Sequence, residues 1–319
     1  MTNKTLYIIG NGFDLYHDLP TKYSDFREYL QKHNSSLEYL LETSFSVDLW
    51  SDFENHLSKL DLDAIFSDNY DILPDEDSDR DGDKYPFIDK MEQIKNDLTV
   101  GLKNALRDWI LSLEYPANID DLLLNLDKEA IFLTFNYSNT LEQFYKVKSN
   151  QIIYLHNKAE KLNLNNIRPK ERYYIEDNSD IIIGHNIKKL QFKIPKVNRK
   201  GFKTAYSCEE GFEQIKLYDN FKDTEQIISE HSCFFNNLYN IEKIIIIGHS
   251  LSDVDLQYFQ EISKNTINAP KYKITYFGQD KFDEIKNQSA KFLPNSTCIE
   301  YINVNLDEVE IDDIKLKIR

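Results

Sequence analysis

Five short segments carry the residues that could do chemistry, and all have one form: an apolar run followed by glycine, asparagine or histidine. The first is Leu6-Tyr-Ile-Ile-Gly10-Asn11-Gly12-Phe13-Asp14. Glycines at such a point permit a tight turn and a close approach of backbone to a ligand's pyrophosphate. Leu15 stands where the dinucleotide fingerprint has its third glycine, and the Lys-Ser/Thr of a P-loop is absent. A structural turn with Asp14 capping the next helix accounts for the same residues.

The second segment, Ile131-Phe-Leu-Thr-Phe-Asn136, ends on an amide able to donate and accept, and so to hold a water or a ribose hydroxyl. Ser138 and Asn139 read as helix caps. The third, Gln151-Ile-Ile-Tyr-Leu-His156, offers a candidate general base near neutral pH, or else an ordinary core histidine. The fourth, Asp180-Ile-Ile-Ile-Gly184-His185, either lines a cleft or is a plain strand-to-loop transition. The fifth is Ile244-Ile-Ile-Ile-Gly248-His249-Ser250-Leu-Ser-Asp253-Val-Asp255. It approaches the nucleophile elbow of α/β-hydrolases, whose triad runs Ser, Asp, His along the chain. No histidine follows His249, so Ser250 has no downstream base and the α/β-hydrolase reading fails this check. Asp253 and Asp255 could share a metal, but no third ligand is apparent, and no metal is expected.

These segments need strands to position them. Leu6–Ile9, Ala130–Phe135, Ile152–Leu155, Asp180–Ile183, Lys243–Ile247, Tyr272–Phe277 and Ile299–Val304 read as buried parallel strands. Helical spacing lies between them, which predicts an α/β, Rossmann-like parallel sheet. Residues 23–126 hold no convincing strand and read as a helical insertion after the first strand, with helices over Ser24–His33, Ser51–Leu60 and Asp89–Leu113. The like-charge run Asp75–Asp83 within it predicts a mobile acidic loop over about residues 75–84; it lacks the twelve-residue calcium pattern ending in Glu. Residues 158–179 form a second, polar interruption. No linker separates domains, so 1–319 reads as a single domain.

The formal charge of −16 disfavours nucleic acid and anionic membranes. The basic stretch Gln191-Phe-Lys-Ile-Pro-Lys-Val-Asn-Arg-Lys-Gly-Phe-Lys203 is either a local nucleic-acid patch or a solvated loop. Three scattered cysteines without a CxxC imply reduced thiols. With no signal peptide and no apolar run long enough to span a bilayer, the expected location is cytoplasmic, with no membrane contact.

Together the segments resemble the AbiH family of bacteriophage abortive-infection proteins. The resemblance rests on Gly10-Asn-Gly-Phe-Asp-Leu15 with Leu19-Pro-Thr-Lys-Tyr-Ser-Asp-Phe26, Trp50-Ser-Asp-Phe-Glu54, Thr134-Phe-Asn-Tyr137 with Thr140-Leu-Glu142, and Gly248–Asp255 with Tyr258-Phe259. AbiH in turn is distantly similar to sirtuin-like NAD-binding folds, matched in order by Gly10 and Gly12, Asn136, His156, and Gly248 with Ser250. Asn157 replaces the glycine that usually follows the sirtuin-type histidine, and the zinc cysteines are absent.

The resemblance implies a sirtuin-type sheet and NAD as substrate or ligand. Asn136 and His156 would be catalytic. Gly10, Asn11, Gly12, Phe13, Asp14, Gly248, His249, Ser250, Asp253 and Asp255 would hold the nucleotide. The activity implied is hydrolysis of NAD to nicotinamide and ADP-ribose, under control of a phage-derived trigger. A non-catalytic nucleotide sensor, a nuclease or nucleic-acid binder, and assembly as a homo-oligomer remain alternatives to test.

Overall fold

The computed structural model describes residues 4–75, 80–119, 122–161, 181–198, 201–267, 269–294, 297–304, 309–311 and 314–316. Residues 76–79 of the acidic run, 162–179 of the polar interruption, Asp180, and Arg199 and Lys200 of the basic stretch lie outside them. At the end of that acidic stretch, Asp81–Lys84 form a 3-10 turn.

Six of the seven expected strands form one sheet: β1 (Thr5–Ile9), β2 (Ile131–Thr134), β3 (Ile152–Tyr154), β4 (Lys243–Ile247), β5 (Lys271–Tyr276) and β6 (Ile299–Asn303). All are parallel, in the order β3-β2-β1-β4-β5-β6. The chain steps outward from β1 to β3, then returns to lay β4 against β1's other edge. In this order the progression of strands reverses between β1 and β4, the point at whose carboxyl ends sheets of this kind receive ligands. The register sets Ile9 beside both Thr134 and Ile247, so the residues that follow start level with one another.

The central strands are apolar but for Thr5, Thr134 and Lys243 at their ends, because both faces are covered. Leu6, Ile8, Ile244, Ile245 and Ile246 are fully buried. Tyr7 stacks on Phe132 with ring centroids 5.0 Å apart, and the Tyr7 hydroxyl accepts from the Asp127 amide. Around them Ile9, Phe13, Leu141, Val147 and Ile152 complete one apolar cluster.

The chain divides into two compact units. Met1–Lys22, Ile110–Glu160 and Asp223–Arg319 make the sheet unit; Tyr23–Trp109 and Lys161–Lys222 make a helical unit. The helical unit thus takes in a second stretch besides the insertion that follows β1. Within it, Phe26 packs on Phe53 and Trp109, and Phe66 on Phe87 and Phe212. The Trp50–Glu54 motif is part of this packing. Glu54 accepts from the Tyr23 hydroxyl at 2.9 Å and from the buried Lys222 ammonium at 2.7 Å.

Three readings need correction. Ile181–Ile183 is not a strand, and Asp180 is outside the described residues; Ile181 and Ile183 are buried, and pairing is limited to a single bridge from His185 to Phe221. Buried isoleucines in an irregular segment carry the same pattern as a strand. The helix expected over Ser51–Leu60 shrinks to Phe53–His56 after a 3-10 turn, because Asp52 leaves helical geometry. The long helix expected over Asp89–Leu113 is interrupted by a π segment, Asp97–Gly101, between Tyr85–Asn96 and Leu102–Leu111.

Phe132→Ala should cost about 3–5 kcal/mol, the usual range for deleting a fully buried ring. Urea denaturation of the variant measures it. A cost near zero would mean that the ring does not pack as described.

Candidate functional site

The turn after β1 and the loop after β4 touch through backbone alone. The Gly10 amide donates to Ile247 O at 2.9 Å, and the Gly12 amide to Gly248 O at 2.8 Å. A methyl on Gly12 would sit 2.7 Å from Gly248 Cα, and one on Gly248 would sit 2.4 Å from Phe13 N. Gly248 also has φ +65°, which disfavours any side chain. The glycine types are therefore explained by one loop seating against the other. The amides of Gly10, Gly12 and Phe13 are committed to internal bonds.

This contact brings the next side chains together. Asn136 follows β2 and donates from Nδ2 to Gly10 O at 3.1 Å. Its own amide donates to Thr134 Oγ1 at 3.1 Å, which fixes the strand end. His156 follows β3, and His249 follows Gly248. Both imidazoles point Nε2 at one carboxylate: Asp255 Oδ1 lies 3.6 Å from His156 and Oδ2 3.6 Å from His249. These are electrostatic contacts, longer than hydrogen bonds. Asp255 is the N-cap residue of helix Leu256–Asn265 and makes no side-chain cap bond there. The positive end of that helix favours its negative charge. His249 Nδ1 accepts from the Leu251 amide at 2.9 Å, which puts the proton of the neutral ring on Nε2, facing Asp255.

Aromatic rings wall this group. Phe135 meets His249 edge-on at 4.3 Å and His156 at 5.3 Å, and stacks on Phe259. Tyr258 packs beside His156. Two non-glycine residues hold left-handed backbone in these loops, Asn157 at φ +60° and Leu251 at φ +57°. Asparagine tolerates that region, so Asn157 supplies the conformation for which a glycine would otherwise serve. Leu251 is strained there by about 1 kcal/mol or more.

A second polar group sits on the β1–β2 side. Asp14 is 2% exposed, and its Oδ2 accepts from Ser138 Oγ at 2.5 Å. Ser138 Oγ lies 2.9 Å from Thr140 Oγ1. Asp14 Oδ1 is buried without a hydrogen-bond partner among the described residues. Burial pushes the carboxyl up to about 6, against the opposing pull of Ser138, Thr140 and Asn136. Asp14 does not cap its helix; Gly10 is the N-cap residue. Ser138 serves Asp14, and Asn139 makes no side-chain cap bond.

The other expected residues go elsewhere. Phe13 is core, packed on His17 and Tyr145. Asn11 Nδ2 ties the turn to Thr21 O at 2.7 Å. Ser250 is exposed, and Asp253 pairs with Lys291 at the surface. Gly184 and His185 belong to the helical unit, where His185 is bonded through its backbone to Asn220 and Lys222. Ser138, Thr140, Phe135 and Thr275, whose hydroxyl accepts from the Gly248 amide at 3.0 Å, were not foreseen as site residues. Only their proximity to the strand ends signalled them. Among the described residues no group of three His, Cys, Asp or Glu side chains gathers as metal ligands, and no helix is long and apolar enough to cross a membrane.

The family model described as bacteriophage abortive infection AbiH matches residues 6–277. The chain belongs to the AbiH family. The matched stretch of this AbiH protein runs from β1 through β5 and includes every side chain of both polar groups. Membership assigns it to bacteriophage abortive infection. No curated protein and no solved structure matches the chain.

Gly12→Ala should destabilise the protein by about 1–3 kcal/mol, the range for overpacking, since backbone rather than a yielding side chain meets the new methyl. A thermal melt checks this, and an unchanged melting temperature would refute the interlock. Asp14 makes a pH prediction. Its folded-state value lies above the ordinary carboxylate value, so its contribution to stability is full below about pH 4 and is lost as pH rises to about 6. The loss is about 3 kcal/mol. In urea denaturation Asp14→Asn should lack this fall, and so gain on the wild type by about that amount between pH 4 and 8. A difference that does not change with pH would contradict the burial.

Proposed function

We propose that this AbiH protein binds NAD or a close relative at the carboxyl ends of β1 to β4 and hydrolyses the nicotinamide–ribose bond. The observation that carries the reading is the convergence of Asn136, His156, His249 and Asp255 where the strand order reverses. That is where doubly wound sheets receive nucleotides.

The chemistry needs little more than this set. The nicotinamide nitrogen of NAD is cationic, so the leaving group takes the bonding electron pair and departs neutral, without a proton. Oxocarbenium character develops on the ribose, and a water oxygen then bonds to the anomeric carbon. Asn136 would hold that water or a ribose hydroxyl through Oδ1, since Nδ2 is engaged with Gly10 O. His156 would accept the water's proton, and Asp255 would stabilise the imidazolium that results. The aromatic wall would exclude other water. Gly10 and Gly12 would shape the crevice, and Gly248 with His249 would line the adenosine side. Loss of NAD would halt an infected cell, which fits abortive infection.

Purified protein should release nicotinamide from NAD, with a phage lysate supplied as trigger, and chromatography detects it. Asn136→Ala and His156→Ala should each lower the rate by about 100-fold or more. Full activity in both variants would place the chemistry elsewhere. Calorimetric binding without release would select a non-catalytic nucleotide sensor. A nucleic-acid role has less support: in the basic stretch Lys193 is paired with Asp63 at 3.0 Å.

A further inference from the structure

His249 has a role open to it that needs no contact with a nucleotide. Its ring is held from several sides. Nδ1 accepts from the Leu251 amide at 2.9 Å, and Phe135 and Phe259 meet the ring edge-on with centroids 4.3 and 5.0 Å away. A neutral imidazole whose Nδ1 accepts carries its one proton on Nε2. That Nε2 lies 3.6 Å from Asp255 Oδ2. The amide that fixes the tautomer belongs to Leu251, whose backbone is left-handed at φ +57°. Leucine rarely takes that conformation, and such strain persists where the surroundings demand it.

Asp255 shows the other half of the arrangement. It is the N-cap residue of helix Leu256–Asn265, where an aspartate ordinarily turns its carboxylate to the first free amides. It makes no side-chain cap bond. Its oxygens are divided between two rings instead, Oδ2 toward His249 and Oδ1 toward His156 Nε2, each at 3.6 Å. Asp253, two residues earlier, is turned to Lys291 at the surface and takes no part. Separations of 3.6 Å exceed hydrogen bonds, but contacts around a reacting group are often this long until a ligand binds, and then tighten.

We propose that His249 is a positioning residue: its Nε2–H holds the Asp255 carboxylate off the helix cap and sets the other carboxylate oxygen on His156. The inference rests on the reading of His156 as the base. It gives that base a fixed anion to stabilise its imidazolium, and it accounts for a histidine whose two ring nitrogens both face protein groups. Without the N–H, the carboxylate would be free to rotate onto the amides that open the helix, and His156 would lose its partner.

The test is NMR of the full chain with 15N-labelled histidine, run beside NAD turnover. His156→Ala and His249→Phe assign the two rings. Neutral His249 should show its proton on Nε2. Asp255→Ala removes the anion beside His156, so it should move the titration of that ring to lower pH. His249→Phe keeps an aromatic ring in place but removes the N–H, and it should move the His156 titration the same way. His249→Gln returns an N–H and should bring the titration back toward the wild type. A His156 titration that ignores His249→Phe, or a neutral His249 with its proton on Nδ1, would overturn the inference. In the turnover assay His249→Phe should lower kcat about tenfold or more with KM little changed, the pattern for a lost transition-state interaction. The same substitution should have little further effect in Asp255→Ala, as for a residue that acts through another, and additive losses would overturn the inference. The expected NMR result without nicotinamide release would retain the positioning and reject hydrolysis.

Discussion

The contact of three glycines across the strand-order reversal is the constraint on which the rest depends. Gly10 and Gly12 meet Gly248 through backbone, within distances that leave no room for a Cβ. Because the loops after β1 and β4 seat together this closely, Gly10 O is available to Asn136, and His249 is carried under Asp255. Parallel pairing of β2 and β3 sets Asn136 and His156 at the same end of the sheet. Four separate strand ends thus deliver one polar group, and none of them could do so alone.

That group is expensive to bury. Two imidazoles share one carboxylate at 3.6 Å, and one Asp14 oxygen is buried without a hydrogen-bond partner among the described residues. Asn157 and Leu251 add left-handed backbone in the same loops. Apolar packing of the central strands and the aromatic wall stabilises the region enough to hold such an arrangement. Buried ionisable groups, strained backbone and a strand-order reversal in one place are the usual marks of a site rather than of a core.

The sheet was legible because buried parallel strands are continuous apolar runs, and six runs found their places. Asp180–Ile183 shows the limit: two isoleucines buried in an irregular segment give the same signal as a strand. Asn136, His156 and Asp255 were legible as strand-end or loop polar residues, and Asn136 and Asp255 lie within the family anchors. The shared carboxylate between two histidines was not, since sequence spacing says nothing about which loops meet. The same holds for Ser138 and Asp14, 124 residues apart in the chain. Gly10 and Gly12 stood out as strand-end glycines that fit either a ligand turn or a structural one; the close approach seen is to a neighbouring loop, which a single sequence cannot distinguish from a phosphate.

The central claim is the proposal that a nucleotide binds at the carboxyl ends of β1 and β4. A crystal structure with a non-hydrolysable NAD analogue tests it most directly. The account predicts the analogue across the carboxyl ends of β1 and β4, with its nicotinamide ribose within hydrogen-bonding distance of Asn136. An analogue bound elsewhere on the chain, or none bound at saturating concentration, would contradict it.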